Sequence, residues 1–453
     1  MSEGHLQGEA RFRRRAIKVD EAMRLVIEAA EPGRRESVAL WEAGGRRLSE
    51  AVCATTDWPP FARAGLDGFA VRSADTAQAS PGSPATLRVA ATVAAGGLAP
   101  ADVAPGTAVR IMTGGAVPPG ADAVVMLEQT ADARVGGQPA VQVRSAAVPG
   151  QNIAPRGEEF RCGSAFARPG ELLRPGHLAL LGTFGYAHVP VFVRPRVAVL
   201  ATGAELLPVE APLAPGRIRD SNSAMVAALV AQHGGVPVQL GRVPDEPGAA
   251  AEAIAGALLH CDLIVTTGGV SVGDYDVMAS LLRSIERSSA AAEGGAASEE
   301  AGWQATAPPQ ADLLPQDSRL LFNKAAMRPG APTSAAIVSG KLLLALSGNP
   351  GACFVGFELF ARAALLRLQG VTEAAARPKQ ATARLAGSID KGSPHERFVR
   401  ARLYTGNGTL YAEPLAWGKS SMMASIPAAD GLIRLQAGPQ GAAAGEIVEV
   451  IVL

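Results

Sequence analysis

A short apolar run, Leu263-Ile264-Val265, passes directly into Thr266-Thr267-Gly268-Gly269-Val270-Ser271-Val272-Gly273-Asp274-Tyr275-Asp276. The run has the length of one buried strand. The glycines, threonines and serine behind it leave amides and hydroxyls free, and two carboxylates close the turn. Such a loop at the carboxyl end of a strand can cradle an oxyanion, with Asp274 and Asp276 available to hold a metal. Its neighbours in sequence constrain the fold further. Val197 to Ala201 reads as a second buried strand, ending in Thr202-Gly203-Ala204-Glu205. Asp220-Ser221-Asn222-Ser223 offers cap-type residues ahead of a helix, Ala224 to Gln232, that stops at Gly234-Gly235. A strand over Val236 to Val243, the link Pro244-Asp245-Glu246-Pro247 and an Ala-rich helix through Leu259 follow. Strands alternating with helices predict a parallel, doubly wound sheet covered on both faces. Ligands of such sheets sit beyond the carboxyl ends of the strands, where Thr202, Glu205 and the 266–276 loop all lie.

Outside this unit the period changes. Asp20 can cap a helix running to about Ala30, with Met23, Val26 and Ile27 on one face. Trp58-Pro59-Pro60-Phe61 is a break that no helix crosses. Gly65-Leu66-Asp67-Gly68 follows, where turn chemistry is the ordinary role of an Asp beside Gly. From 73 to 148 short strands alternate with Gly/Pro turns, at Leu87 to Ala90, Val109 to Met112, Val124 to Leu127 and Val141 to Val143, as in a small β domain. Residues 284–318 hold Ala, Glu, Ser, Gly and Pro with few large apolar side chains, and are expected to be a disordered insertion, although Trp303 is out of character for one. Lys341 to Leu346 reads as a strand entering Ser347-Gly348-Asn349-Pro350-Gly351 and a long apolar helix to Leu368; a Gly-Asn-Pro turn entering a helix is an anion site. After Arg377-Pro378, alternation over Phe398 to Leu403, a hairpin signal at Thr405-Gly406-Asn407-Gly408 and a strand over Ile447 to Leu453 predict a C-terminal β domain.

The domain reading is therefore 16–61 with 151–193 as a discontinuous N-terminal domain, 62–150 as a β-rich inserted domain, 194–376 as the α/β domain and 377–453 as a C-terminal β domain. Lys+Arg and Asp+Glu are both 42, so no overall field recruits nucleic acid or an anionic membrane. No apolar stretch approaches the ~20 residues of a spanning helix. The basic Arg11 to Arg15 leads into no apolar signal block, and the expected compartment is the cytoplasm. The four cysteines form no Cys-x-x-Cys pair, and buried reduced thiols are expected.

Gly269-Val270-Ser271-Val272-Gly273 matches the Gly-x-Ser-x-Gly elbow of serine hydrolases. That reading requires a helix directly behind the serine and a later acid and histidine. Asp274-Tyr275-Asp276 follows instead, and the one downstream histidine is His395. The competing reading is a phosphate and oxyanion site, in which Asp274 and Asp276 bridge to an anion through a divalent cation while Lys324 and Arg328 add positive charge. Each charge alone is more often a solvated loop residue.

A set of motifs in order along nearly the whole chain resembles the molybdopterin molybdenumtransferases of molybdenum-cofactor biosynthesis. It comprises Leu66-Asp67-Gly68-Phe69-Ala70-Val71, Arg110-Ile111-Met112-Thr113-Gly114, Thr202-Gly203-Ala204-Glu205-Leu206, Asp220-Ser221-Asn222, Gly268 to Asp276, Met327-Arg328-Pro329-Gly330 and Gly348-Asn349-Pro350. The resemblance implies a four-domain homodimer with a central molybdopterin-binding-like α/β domain. It implies insertion of molybdenum from molybdate into adenylylated molybdopterin, with Mg²⁺ assistance and release of AMP, and contacts with other proteins of the same biosynthesis. It assigns Glu205, Asp274 and Asp276 to the metal or the phosphate, and Lys324 and Arg328 to the oxyanions. Asp67 and Thr113 are assigned to the same cleft from the other subunit. Substrate contacts fall to Thr202, Gly203, Asp220, Ser221, Asn222, Gly268, Gly269, Ser271, Gly273, Pro329, Gly330, Ser347, Gly348, Asn349 and Pro350. The chain departs from the usual pattern at Leu66, Ala204, Ala331, Ser347 and Gly351-Ala352. A non-catalytic pterin-binding scaffold of the same fold is the alternative these departures favour, and tungstate is a second oxyanion of the same shape.

Overall fold

A computed structural model describes residues 15–94, 96–270, 276–292, 314–315, 317–415 and 422–453. Ser271, Gly273 and Asp274, expected in the site, lie outside the described residues. The chain forms two compact units. One contains Met1–Ser49, Pro169–Arg174 and Val189–Leu453; the other contains Glu50–Arg168 and Pro175–His188.

At the centre of the first unit is a six-stranded sheet in the order Val236–Val243, Arg196–Thr202, Leu263–Thr267, Lys341–Leu346, Ser334–Val338, Arg319–Phe322. The first four strands are parallel. The fifth, Ser334–Val338, runs antiparallel to both of its neighbours, so Arg319–Phe322 points the same way as the first four, and the sheet is mixed where a parallel one was expected. The cause is local: Ser339 (φ 48°) and Gly340 (φ 73°) join Ser334–Val338 to Lys341–Leu346. A two-residue link with both residues left-handed permits only a hairpin.

Successive residues of the parallel strands serve two cores, as a sheet covered on both faces requires. Val197, Val199, Leu263, Val265, Leu342 and Leu344 face a core shared with the helix Asn222–Gln232 and with the helical run that starts at Pro350. Ala198, Leu200, Ile264, Leu343 and Ala345 face the helices Pro247–Leu258 and Val277–Ala292. The N-terminal helix is Val19–Ala29, and its Met23, Val26 and Ile27 enter the first core. Asp20 does not cap it. Lys18 holds the cap position, and Asp20 Oδ2 instead accepts a bond from Arg434 at 2.9 Å.

The margins of the 284–318 stretch carry structure, against the expectation of disorder there. The helix Val277–Ala292 runs through its start, and Leu314 and Ser318 are buried near its end. Residues 293–313, with Trp303, lie outside the described residues. After Arg377, the strands Glu396–Gly406, Thr409–Pro414, Lys379–Leu385, Ile447–Val452 and Gly431–Leu435 pair in that order, and Gly431–Leu435 pairs back to Glu396–Gly406. The result is a closed β-barrel, which leaves no free edge among these strands. Its predicted hairpin turn has Asn407 at φ 49° and Gly408 at φ 75°.

The second unit is built on a six-stranded sheet in the order Ala123–Met126, Gly68–Val71, Thr107–Ile111, Ala85–Val93, Gln138–Val143, Thr130–Val135. A Cβ at Gly68 would lie 2.0 Å from the Val125 carbonyl, so the strand pairing there requires glycine. All four cysteines are free. Cys261 and Cys353 are buried, but Cys162 is exposed and Cys53 half-buried, which corrects the expectation of four buried thiols. Among the described residues no helix is long and apolar enough to cross a membrane.

Candidate functional site

Three adjacent parallel strands, Arg196–Thr202, Leu263–Thr267 and Lys341–Leu346, end on the same side of the sheet and bring three loops together. The first residues of the 266–276 loop fix the geometry. Gly268 donates its N–H to Leu346 O (3.1 Å) with φ at 89°, and a Cβ there would lie 2.3 Å from Thr202 O. Gly269, at φ 63°, would place a Cβ 2.6 Å from Thr202 Oγ1. From the third loop, a Cβ on Gly348 would meet the Gly268 Cα at 3.3 Å. Asn222 Nδ2 donates to Gly348 O at 2.8 Å. Thr202, Asn222, Gly268, Gly269 and Gly348 are thus drawn together, with glycine wherever two backbones meet.

This cluster holds two polar atoms without partners. Thr202 Oγ1 and Asn222 Oδ1 are buried and make no hydrogen bond among the described residues. A buried unsatisfied group costs about 1–3 kcal/mol, and native folds keep few of them. Here the two sit beside a glycine-lined surface at the ligand end of an α/β sheet. Thr266 Oγ1, on the strand two residues before Gly268, is also buried and unpartnered among the described residues.

Other residues expected in the site hold the loops in place. Asp220 accepts from Ser223 N (3.0 Å) and Ser223 Oγ (2.5 Å), so it caps the helix Asn222–Gln232, while Ser221 makes no side-chain cap bond. Gly203 (φ 147°) lies under the Glu205 carboxylate, whose Oε2 a Cβ there would approach to 2.7 Å. Ala204 donates its amide to Asp245 Oδ2 at 2.5 Å. Asp245 was assigned only to a link between elements, and the structure places its carboxylate on the Thr202–Glu205 loop. At the third loop, Asn349 caps the helical run beginning at Pro350 through Ala352 N (3.2 Å) and takes Cys353 N on its carbonyl, while Ser347 Oγ accepts from Asn349 N (3.3 Å). The anion site expected there is therefore smaller than the sequence suggests. Pro350 has no N–H, two first-turn amides are taken, and the Gly351 amide is left.

Lys324, Arg328, Pro329 and Gly330 form a second group. Ala325 N bonds to Ala331 O (3.0 Å), which closes the segment on itself. Gly330, at φ 96°, would set a Cβ 3.4 Å from Ala352 O, so the segment meets the first turn of the Pro350 helix. Lys324 is half-buried and Arg328 exposed, and neither forms an ion pair among the described residues. Arg400, which was not among the expected site residues, reaches the same turn. It is 1% exposed, and its guanidinium bonds to Gly351 O (3.2 Å), Ser425 Oγ (2.8 Å) and Met422 O (3.1 Å). None of these partners is a carboxylate, and burial lowers its pKa. The available signal was an arginine in an inward position of an alternating strand, where an apolar residue is the rule.

Asp276 is half-buried, and its carbonyl accepts Ser280 N (3.0 Å) at the start of the helix Val277–Ala292. Among the described residues no three His, Cys, Asp or Glu side chains come together as a metal site. In the other unit, Thr113 N and Oγ1 both donate to Asp67 Oδ1 at 2.6 Å. The hydroxyl first, then the amide, hold the Asp67 carboxyl below its ordinary range.

Comparison with known proteins gives the same assignment along the whole chain. Residues 17–185 match the family model for the MoeA N-terminal region (domain I and II), and residues 198–367 match the model described as "Probable molybdopterin binding domain". Residues 382–453 match the MoeA C-terminal region (domain IV). The chain is 38% identical over 443 residues to a molybdopterin molybdenumtransferase of Bacillus subtilis, covering 97% of this chain and 95% of that protein. It is 35% identical over 440 residues to one from Staphylococcus epidermidis, covering 97% and 96%. The crystal structure of a molybdopterin biosynthesis moeA protein from Pyrococcus horikoshii OT3 superposes with a TM-score of 0.77 at 29% identity, over 97% of this chain and all of that one. With full-length identity at this level, the chain belongs to the molybdopterin molybdenumtransferase family.

Proposed function

We propose that this chain is a molybdopterin molybdenumtransferase that inserts molybdenum from molybdate into adenylylated molybdopterin and releases AMP, in the cytoplasm and as a homodimer. The observation that carries the reading is the pair of buried atoms, Thr202 Oγ1 and Asn222 Oδ1, that have no partner among the described residues, beside the Gly268-Gly269-Gly348 surface. A heterocycle bearing several N–H donors and acceptors supplies what these atoms lack, and the glycines let it approach the backbone. Lys324 and Arg328, free of ion pairs among the described residues, suit the oxyanions of the phosphoanhydride and of molybdate. Separating a phosphate from its anhydride beside a second oxyanion requires such neutralisation. Arg400 adds a buried positive charge behind the first turn of the Pro350 helix.

Glu205 and Asp276 are carboxylates suited to a hard cation, but two ligands do not make a Mg²⁺ site, and Asp274 lies outside the described residues. Magnesium therefore enters the reading as a dependence to be measured, and no step is routed through it. His395, the histidine a serine hydrolase would need, sits at the turn before the barrel strand Glu396–Gly406 with its amide on Ser393 Oγ (3.2 Å).

The test is AMP release from adenylylated molybdopterin by the purified chain. Release should require molybdate and fall on chelation of Mg²⁺. Lys324→Ala and Asp276→Asn should each lower it by about a hundredfold. Binding of the pterin with no AMP release under the same conditions would replace the enzyme with a scaffold.

A further inference from the structure

A cavity of about 340 Å³ lies in the first unit, between the helix Val19–Ala29, the helical run from Pro350 and strands of the C-terminal barrel. Its volume is that of a small-molecule site. None of the residues assigned to the reaction lines it. Its floor is apolar, made of the buried side chains of Met23, Leu359, Phe398 and Ile451. Leu359 sits in Phe357–Ala361, where the helical run winds as a π-helix. Such turns are rare and recur at functional sites.

One wall of the cavity holds more negative than positive charge. The single guanidinium of Arg434 is shared by Glu396 (2.7 Å), Asp20 (2.9 Å) and Glu449 (3.4 Å). Asp20 uses Oδ2 and Glu449 uses Oε1 in these contacts, and the second oxygen of each has no partner among the described residues. Arg377 also lines the cavity. It is exposed and forms no side-chain hydrogen bond or ion pair among the described residues. Arg377 stands away from the excess carboxylates and does not neutralise them. Thr382 is the register partner of Glu449, and Arg377 precedes it by roughly 16 Å of extended chain. Carboxylate oxygens and a guanidinium, each without a counter-charge, thus face one cavity from separate ends over an apolar floor.

We propose that this cavity binds a small zwitterion with an apolar body, of the class of α-amino acids with a branched hydrocarbon side chain. The ammonium group meets Asp20 and Glu449, the carboxylate meets Arg377, and the hydrocarbon lies on Leu359 and Phe398. A cation alone would leave Arg377 unmatched, and an anion alone would be repelled by the carboxylate wall. The site is separate from that of the reaction and does not depend on how the reaction is read.

Titration of L-leucine into the full chain, followed by saturation-transfer NMR of the ligand, tests the site. A Kd on the order of 1 mM is expected for a ligand of this size. Isopentylamine lacks the carboxylate, isocaproate lacks the ammonium group and glycine lacks the hydrocarbon; each should bind at least about tenfold more weakly. Arg377→Ala and Glu449→Gln should each weaken leucine binding by about tenfold. Because Arg377 is exposed, its removal should leave the melting temperature and AMP release unchanged. Gln380→Trp, at an exposed position of the cavity wall, should fill the space and abolish binding in a chain that stays folded. Leucine affinity within about twofold of the unaltered chain in both Arg377→Ala and Gln380→Trp would overturn the proposal. So would the absence of leucine binding by the unaltered chain at about ten times the expected Kd. Isopentylamine bound as tightly as leucine would also overturn it, because the cavity would then read a cation and not a zwitterion. Leucine binding by a chain that releases no AMP would leave the proposal standing.

Discussion

Thr113 gives both its amide and its hydroxyl to one oxygen of Asp67, and these bonds keep the carboxyl ionised to lower pH than its ordinary value of 3.8. A group whose folded pKa is lowered adds stability that is complete above the unfolded value and is lost as pH falls through the folded one. Thr113→Val removes the larger of the two contributions and keeps the side-chain shape. The Asp67 titration midpoint should therefore move up toward the ordinary value, read by carboxyl-carbon NMR; an unmoved midpoint would leave the hydroxyl without a role. The pairing of Asp67 with Thr113 could not be read from the chain, because 46 residues separate them and each sits in a motif with its own turn chemistry. Arg400 shows the opposite case. Its residue type was visible in an alternating strand, but its burial and its three uncharged partners depend on loops distant in sequence.

The helical run that begins at Pro350 changes winding over Phe357–Ala361, a π-helical turn, before it continues as Arg362–Leu368. Glu358 lies within that turn, 2% exposed, and accepts from Arg362 Nη1 at 3.0 Å, with His233 Nε2 at 3.6 Å. Removing one partner of a buried pair leaves an uncompensated charge, at a cost of about 3–5 kcal/mol. Arg362→Met should lose stability of that order in urea unfolding. Adding Glu358→Gln to the same chain should restore much of it, whereas equal losses in the single and double variants would show that Arg362 acts through packing alone. The existence of this helix and its apolar character were legible in the sequence. The π turn was not, because an apolar run gives the same pattern for α and π winding. The antiparallel part of the sheet was missed for a related reason: Ser334–Val338 is a short apolar run whose direction depends on the two-residue turn that follows it.

Within the first unit, Arg434 joins the barrel to the N-terminal helix. From the barrel strand Gly431–Leu435 it bonds Glu396 (2.7 Å) and Glu449 (3.4 Å) of neighbouring strands and Asp20 (2.9 Å) of the helix Val19–Ala29. Burial alone would lower its pKa, but Glu396 and Asp20 outweigh burial and hold it above the ordinary range. Arg434→Met should therefore strand three carboxylates and cost about 3 kcal/mol. It should also speed proteolytic release of the barrel, and a cleavage rate equal to that of the unaltered chain would show that the apolar contacts suffice. The sequence by itself determined the four parallel strands of the α/β unit, the helices Asn222–Gln232 and Pro247–Leu258 and the helical run from Pro350, the glycines of its loops and the family to which the ordered motifs point. These rest on local periodicity and on backbone geometry that only certain residues tolerate. The tertiary structure alone decided which atoms of Thr202 and Asn222 remain unpartnered, that Asp245 reaches the Ala204 amide, and that Asp20, Arg377 and Glu449 line one cavity. Such facts depend on register and on contacts between distant segments, and no local pattern in the chain encodes them.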